Sequence, residues 1–187
     1  FEDTKNIMEI IKTPLEGLLI IKPSVFEDER GYFFESYNHE KFLAQGLDLK
    51  FLQDNESKSK KGVLRGLHFQ APPFAQGKLV RVMRGSVLDV AVDIRKNSPT
   101  YGKWESIVLS GNNKWMYWIP AGFAHGFVTL EDDTIFFYKC TNVYNKASEG
   151  SVNWCDPDLN IDWGVSEPII SGKDKIAPGF RDFNSPF

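Results

Sequence analysis

The sequence predicts an all-β domain built from many short strands. From residue 62 onward, short apolar runs alternate with turn residues, a spacing typical of sandwiches and barrels. Aromatic residues make up 14% of the chain, which favours strands over helices. Hydrophobic residues make up 42% of the 187 residues, enough to bury the core of one domain without help from disulfides.

The N-terminal part is predicted to contain two strands separated by a turn. Residues 18–21 (LLII) form an apolar strand that Pro23 ends. Residues 26–31 (FEDERG) are predicted to be a charged turn, and residues 32–36 a second strand. Residues 1–7 precede the first apolar pattern, and we interpret them as a leader or a cloning remnant.

One helix is predicted before the C-terminal tail, over residues 38–45. Asn38 is a suitable N-cap, and Gly46 supplies the stop signal. Phe42 and Leu43 are expected to form its apolar face.

The second half of the chain is predicted to supply the strands of the core. We expect strands at residues 79–83, 87–94, 107–109, 115–119, 127–130 and 134–141. After Cys155 the chain is rich in turn residues, and we interpret this part as a tail around a barrel. The prediction is therefore one domain over residues 8–187, with N-terminal strands at 8–61, a barrel core at 62–141 and a wrapping tail at 142–187.

The composition excludes several classes of protein. The formal net charge is only −3, from 22 basic and 25 acidic residues in mixed order, so we expect no nucleic-acid partner. Cys140 and Cys155 have neither zinc-site spacing nor the density of a disulfide scaffold, which favours a reducing cytoplasm. No apolar run is long enough to cross a bilayer, and we expect no membrane partner.

Two sequence blocks carry most of the chemical information. The first is residues 62–70 (GVLRGLHFQ), followed by residues 76–78 (QGK), and the second is residues 120–127 (PAGFAHGF). Together they resemble the two signature blocks of the cupin superfamily. The resemblance implies a double-stranded β-helix, or jelly-roll barrel, with a few short helices.

The first block departs from the metal-binding cupins in a way that matters chemically. Those proteins place a second histidine and a glutamate where this chain has Gln70 and Lys78. An ammonium group repels a divalent cation, and an amide oxygen is a poor substitute for imidazole. We therefore expect no metal and no other cofactor. Instead, His68, Lys78 and His125 are expected to converge on an interior pocket suited to proton transfer.

Within the cupins, the chain is similar to the dTDP-4-dehydrorhamnose 3,5-epimerase family from Met8 to Pro178. The motifs that carry this similarity are residues 28–35, 53–55, 65–70, 76–82, 90–95, 120–127, 138–141 and 171–174. The resemblance implies inversion of C3 and C5 of dTDP-4-dehydro-6-deoxy-D-glucose, giving dTDP-4-dehydro-L-rhamnose. It also implies a homodimer in which part of segment 8–61 contacts the partner subunit.

The same resemblance implies four catalytic roles. His68 is the base, Asp174 fixes its tautomer, Lys78 stabilises the enolate and Tyr138 is the acid on the opposite face of the sugar. Each residue type suits its role, since imidazole accepts protons near neutral pH, ammonium donates hydrogen bonds and a phenol donates without carrying charge.

Further positions are implied to bind the nucleotide sugar. Arg30 and Arg65 would hold the diphosphate, because a guanidinium fork matches anionic oxygens. Since the N-terminal segment crosses to the partner in related enzymes, Arg30 and Glu35 would serve a neighbour's pocket. The remaining implied binding residues are Gln53, Asp54, Asn55, His125, Glu149 and Lys173.

Structural interpretations compete with these roles. His68 could be a core histidine, and His125 could be bonded to backbone near the barrel mouth. Tyr138 shares a strand face with Phe136 and could be a buried structural tyrosine, while Lys78 could lie at a solvent-facing strand end. His39 is expected at the surface and residues 58–61 in a solvated loop.

One geometric requirement follows from the first block. Arg65 and His68 are three positions apart, so a regular strand would direct them to opposite faces. If both serve one pocket, a bulge at Gly66 is required.

Three alternative functions also stay open on the sequence. The same base and acid could invert only C3 or only C5 of a related sugar. A metal-dependent cupin oxygenase or isomerase is a more distant alternative. A non-catalytic sugar-binding jelly roll would use the pocket for binding alone.

Overall fold

The structure, a computed structural model, describes residues 8–187, so the predicted leader at residues 1–7 lies outside the described residues. In this part of the chain, thirteen strands form two large sheets and one hairpin. The six-stranded sheet has the order β1-β2-β10-β7-β12-β5, and the five-stranded sheet has the order β13-β6-β11-β8-β9. Strands β3 and β4 form the separate hairpin.

The strands and helices have the following bounds. The strands are β1 Glu9–Lys12, β2 Leu19–Lys22, β3 Phe26–Asp28, β4 Gly31–Phe33, β5 Gln53–Ser59, β6 Leu64–Gln70, β7 Lys78–Arg84, β8 Ser86–Asp93, β9 Trp104–Ser110, β10 Met116–Ile119, β11 Phe123–Thr129, β12 Thr134–Cys140 and β13 Glu149–Ser151. The helices are α1 His39–Ala44 and α2 Gly172–Lys175, with 3₁₀ turns at Lys146–Ser148 and Phe180–Asp182.

The main core lies between the two large sheets. Inward-facing residues alternate along the strands, such as Val80 and Val82 of β7 and Val87 and Ala91 of β8. They pack against aromatic side chains that include Phe136 of β12. The predicted jelly-roll barrel is confirmed by this arrangement of two face-to-face sheets.

Two further clusters cover the outer faces of the sheets. Val152, Leu159 and Trp163 from the C-terminal part pack on the outside of the five-stranded sheet. Phe42 of α1 and Leu49 pack on the outside of the six-stranded sheet. Across residues 8–187, no helix is both long and apolar enough to traverse a bilayer.

The predicted helix is confirmed, with one error in its buried face. Asn38 caps α1 by accepting a hydrogen bond from the backbone N–H of Lys41. Phe42 is 2% exposed, but Leu43 is 50% exposed, so its predicted burial is wrong. A six-residue helix buries only a narrow stripe, and Phe42 alone occupies it.

The N-terminal strand predictions need correction. Residues 26–31 were expected to form a turn, but β3 and β4 pair as a hairpin across this segment, and β4 ends at Phe33 rather than at residue 36. Strand β5 was not predicted, and it includes two residues of the expected loop at 58–61. Its sequence, QDNESKS, has no apolar residue, so alternation of polarity could not reveal it.

The predicted irregularity near Gly66 is confirmed. The register between β11 and β6 shifts between His125 and Phe127, next to this glycine. Gly66 has φ +147°, and a Cβ at this position would lie 2.6 Å from the Cα of Gly126. The close approach of two backbones therefore requires glycine here.

We expect Phe42→Ala to lower the free energy of unfolding by about 3–5 kcal/mol, because it leaves a cavity beneath α1. The matched variant Leu43→Ala removes an exposed side chain from the same helix and should change it by about 0.5 kcal/mol or less. Urea unfolding monitored by circular dichroism measures both values. Equal losses for the two variants would contradict the assigned packing of α1.

Candidate active site

A cavity of about 450 Å³ opens between the two sheets and contains the predicted proton-transfer residues. It is lined by His68 of β6, Lys78 of β7, Tyr138 of β12 and Asp174 of α2. Apolar side chains such as Phe127 complete the wall. Residues distant in the sequence are thus brought together by the closure of the barrel.

His68 and Asp174 form a close pair. The Nε2 atom of His68 lies 2.6 Å from Oδ1 of Asp174, which is 3% exposed. Burial raises the pKa of the Asp174 carboxyl, but the hydrogen bond from His68 and the backbone N–H of Gly66 outweigh burial and lower that pKa overall. Asp174 is therefore a carboxylate that accepts a hydrogen bond from Nε2–H of His68. The lone pair of this imidazole is then on Nδ1.

The local sequence fixes Asp174 at this position. Ser171 caps α2, and its side chain accepts a hydrogen bond from the backbone N–H of Asp174. Just before the helix, Ile169 pairs with Val63 in a parallel bridge beside β6. These contacts tie the C-terminal segment to the strand that carries His68.

Lys78 begins β7, where it pairs with Ile119 and Cys140 of the neighbouring strands. Burial lowers the pKa of its ammonium, and Cys140, Asp89 and Glu149 oppose this effect. Within residues 8–187 this ammonium forms no hydrogen bond and no ion pair, and its Nζ lies 6.0 Å from the centroid of the Tyr138 ring. Its donors are available to a ligand in the cavity.

Tyr138 approaches the cavity from the six-stranded sheet, whereas His68 approaches from the five-stranded sheet. Burial raises the pKa of the Tyr138 phenol, and Cys140 raises it further, while Arg65 and Asn55 partly oppose the rise. The phenol therefore stays protonated at neutral pH. A ligand between the two sheets would meet a base on one side and a proton donor on the other.

His125 lines the same cavity and binds a carboxylate that was not predicted. Its Nε2 lies 3.0 and 2.9 Å from the two carboxylate oxygens of Asp89, so its partner is a side chain rather than backbone. The signal for Asp89 was present in the sequence, because an aspartate inside the apolar strand SVLDVAVD requires a buried partner.

A second cavity of about 310 Å³ meets the first at His68, Lys78 and Tyr138. Three predicted binding residues line it, namely Gln53, Asn55 and Glu149. Tyr144, which was not predicted, also lines it. Its backbone N–H donates to Gln53, and its hydroxyl donates to Glu149 at 3.3 Å. An exposed aromatic residue in a turn-rich segment carried no distinguishing sequence signal.

Basic groups lie at the wall of the first cavity. The Arg65 guanidinium donates to the hydroxyl of Ser59 at 3.3 and 3.2 Å, and it still lines the cavity that contains His68. Lys173 also lines this cavity and forms an ion pair with Glu149. These cations can bind an anionic group at the entrance.

Three predicted binding residues do not line either cavity of their own chain. The Arg30 side chain is 84% exposed on the β3–β4 hairpin and pairs with Asp28. Glu35 forms an ion pair with Lys41 of α1. Asp54 lies on the opposite face of β5 from Asn55 and binds Lys139 at 2.8 Å.

Gln70, at the position of a metal ligand in other cupins, is used to hold backbone. Its amide nitrogen donates to the carbonyls of Phe74 and Val143 at 2.7 and 3.1 Å. Its amide oxygen accepts from the backbone N–H of Asn145 at 2.8 Å. Among the residues described, no three His, Cys, Asp or Glu side chains are grouped as metal ligands.

The chain is similar to known proteins over almost its whole length. The family model for dTDP-4-dehydrorhamnose 3,5-epimerase matches residues 12–182. The dTDP-4-dehydrorhamnose 3,5-epimerase of Salmonella typhimurium strain LT2 is 56% identical over 174 residues, which cover 92% of this chain and 95% of the relative.

Solved structures show the same fold. The dTDP-4-dehydrorhamnose 3,5-epimerase of Elizabethkingia anophelis NUHP1 superimposes with a TM-score of 0.91 at 55% identity, over 95% of this chain and 99% of that one. The dTDP-6-deoxy-D-glucose-3,5-epimerase of Legionella pneumophila, in complex with dTDP-4-keto-L-rhamnose, gives 0.91 at 48% identity, over 95% of each chain. The chain belongs to the dTDP-4-dehydrorhamnose 3,5-epimerase family.

Proposed function

We propose that this protein inverts C3 and C5 of dTDP-4-dehydro-6-deoxy-D-glucose to give dTDP-4-dehydro-L-rhamnose, without a cofactor. The observation that carries the proposal is a single cavity lined by a base, a proton donor and a cation. The His68–Asp174 pair lies on the side of the five-stranded sheet, and Tyr138 lies on the side of the six-stranded sheet. The Lys78 ammonium lies near the Tyr138 ring. Membership of the epimerase family supports the same reaction.

His68 removes the proton from the carbon beside the 4-keto group. Because Nε2–H donates a hydrogen bond to Asp174, Nδ1 has the free lone pair and is the basic atom. The Asp174 carboxylate stabilises the imidazolium that forms, because the two groups are 2.6 Å apart and Asp174 is buried. The C–H bonding electrons pass into the ketone, which becomes an enolate.

Lys78 stabilises the negative charge on the enolate oxygen. The ammonium has no competing partner among the described residues, and the apolar wall that contains Phe127 and Phe136 strengthens its attraction to an anion. A preorganised donor of this kind contributes on the order of 3 kcal/mol to transition-state stabilisation.

Tyr138 returns a proton to the same carbon from the other face of the sugar ring. The phenol loses one proton and the enolate gains one, while His68 holds the proton removed earlier, so each inversion is balanced. His68 then releases its extra proton to water, and Tyr138 takes up a proton from water, before the second carbon reacts. Inversion at both carbons requires the ring to present C3 and C5 in turn to the same pair.

The nucleotide and diphosphate are proposed to extend from this point along the cavity walls. Arg65 and Lys173 would hold the diphosphate by charge, and Gln53, Asn55 and Glu149 would bind the nucleoside in the adjoining cavity. Asp54 is on β5 and pairs with Lys139, so it would not contact the nucleotide directly.

We further propose a homodimer in which the β3–β4 hairpin reaches the pocket of the partner. Phe26, Tyr32 and Phe33 on this hairpin are 50%, 57% and 67% exposed, and a second copy would cover them. Arg30 and Glu35 would then complete the partner's site. A cytoplasmic location is proposed because Cys140 and Cys155 are both free thiols.

The first test counts solvent deuterons fixed in the sugar during turnover in heavy water. We expect one deuteron at C3 and one at C5, because each inversion returns a proton from the solvent-exchangeable phenol. Proton NMR and mass spectrometry of the product measure both positions. One labelled carbon would indicate a mono-epimerase, and an unlabelled, unchanged sugar would indicate a binding protein.

The second test removes the acid or the base. His68→Asn and Tyr138→Phe should each lower kcat by about a hundredfold to ten-thousandfold. The control His39→Asn changes a half-exposed histidine in α1, which lines neither of the two central cavities, and should leave kcat unchanged. A fully active His68→Asn enzyme would rule out this mechanism.

The third test asks which subunit uses Arg30. Arg30→Ala and His68→Asn are each expected to be nearly inactive, but a co-expressed mixture should regain about a quarter of the wild-type rate. Half of a random mixture is mixed dimer, and each mixed dimer has one site with an intact His68 and a partner's intact Arg30. If Arg30 served its own subunit, no mixed site would be complete and no activity would return.

A further inference from the structure

We propose that Gln70 is a positioning residue that holds the loop of residues 142–145 and so shapes the second cavity. The expected effect on affinity rests on the proposed function, which places the nucleoside in that cavity. The role of Gln70 in fixing the loop does not depend on the reaction.

The loop of residues 142–145 has little hydrophobic packing to fix its conformation. Val143 and Tyr144 are 44% and 54% exposed. The loop nevertheless forms part of the wall of the second cavity, because Tyr144 lines it. With so little apolar burial, the conformation of this wall depends on hydrogen bonds.

Glutamine side chains supply those hydrogen bonds. Each of the four loop residues has one backbone hydrogen bond with a glutamine amide: Asn142 with Gln76 at 2.7 Å, Val143 with Gln70 at 3.1 Å, Tyr144 with Gln53 at 2.8 Å and Asn145 with Gln70 at 2.8 Å. Gln70 makes two of the four bonds and is only 5% exposed. Because hydrogen bonds shielded from water are stronger, Gln70 is the main anchor of the loop.

The amide of Gln70 is occupied by the protein. One of its two N–H donors binds the carbonyl of Val143, and the other binds the carbonyl of Phe74 at 2.7 Å. Its oxygen accepts from the backbone N–H of Asn145. Gln70 lines the second cavity but has no donor left for a ligand, so it acts through the loop.

Gln70 also holds the approach to Glu149, another residue of the same wall. Asn145, which Gln70 binds, accepts a hydrogen bond from the backbone N–H of Ser148 at 3.1 Å and so caps the 3₁₀ turn that leads into β13. Glu149 lies directly opposite Gln70 in the ladder, and its carboxylate accepts from the hydroxyl of Tyr144 at 3.3 Å. A shift of the loop would therefore displace Tyr144 and Glu149 together.

Lys78 is held by bonds that do not involve Gln70. The backbone N–H of Gly77 donates to the hydroxyl of Thr141 at 2.8 Å, and the backbone N–H of Thr141 donates to the carbonyl of Gly77 at 3.0 Å. These two bonds extend the pairing of β7 with β12 one step beyond Lys78 and Cys140. Loss of the Gln70 amide should therefore leave the ammonium of Lys78 in place.

The test is Gln70→Met, which keeps a side chain of similar size but removes the amide donors and the amide oxygen. We expect KM and the Kd of dTDP to rise by about tenfold, because binding must then also order the loop. The value of kcat should stay within about twofold, since the loop makes none of the bonds that hold His68 and Lys78. Steady-state kinetics and isothermal titration calorimetry with dTDP measure these changes. An unchanged Kd, or a fall in kcat with KM unchanged, would overturn the proposal.

Asp156→Asn is the matched control. Asp156 is also 5% exposed, and its carboxylate accepts three backbone hydrogen bonds, from Asp158, Leu159 and Phe180 at 2.8, 3.2 and 2.7 Å. It lines neither of the two central cavities. We expect this variant to melt at a lower temperature and to keep the wild-type KM and Kd. An equal rise of Kd in both variants would assign the effect to general destabilisation and would contradict a role for the loop.

Hydrogen exchange on substrate-free protein tests the loop independently of the epimerase function. In the wild type, the amides of Tyr144 and Asn145 should exchange slowly, because both donate to glutamine side chains. In Gln70→Met both should exchange faster by about tenfold or more, although Tyr144 binds Gln53, because the loop loosens as a unit. Rapid exchange of these amides in the wild type would overturn the proposal even if Gln70→Met failed to fold. Faster exchange of Asn145 alone in the variant would also overturn it, whatever the affinity for dTDP.

Discussion

The ammonium of Lys78 has to remain charged in a cavity that removes water from it. Desolvation lowers the pKa of this ammonium overall, and the nearby Asp89 and Glu149 only partly oppose that effect. The cavity wall is apolar on the side of Phe127 and Phe136, which strengthens the electrostatic interaction between charged groups in the cavity. The same desolvation that disfavours the charged ammonium also strengthens its attraction to an enolate oxygen.

Two buried aspartates hold the two histidines of the cavity. His68 and His125 lie directly opposite each other in the register of β6 and β11, and each has a buried carboxylate at Nε2. Their surroundings differ, because His125 is 7% exposed while the His68 side chain is 32% exposed. Burial lowers the pKa of His125 and so keeps that imidazole neutral, whereas His68 is the more accessible of the two to a ligand. The same contact, an aspartate on Nε2, thus accompanies both an accessible and a buried histidine.

The sequence predicted the fold better than it predicted the contacts among the residues that line the cavity. Apolar runs identified strands β7 to β12, which are buried on at least one face, but β6 was not among the predicted strands. Asn38 identified the start of α1. Strand β5 was missed because its polar residues form a strand only by pairing with β12, as Asn55 does with Tyr138. The local sequence does not indicate such a pairing. The exposure of Leu43 also depends on where α1 docks. Asp89 could have been found, since an acid in an apolar strand is anomalous in the sequence itself.

The proton-transfer site also depends on contacts that are remote along the chain. His68 and Asp174 are separated by 106 positions, and the carboxylate reaches the imidazole only because residues near Ile169 pair beside β6. Gly66 adds to this dependence, since its close contact with Gly126 produces the irregularity that lets Arg65 and His68 line one cavity. A larger residue at Gly66 would separate β6 from β11 and so displace the base from both its aspartate and the opposing phenol. The chemistry is therefore coupled to the packing of two glycine backbones that line neither cavity.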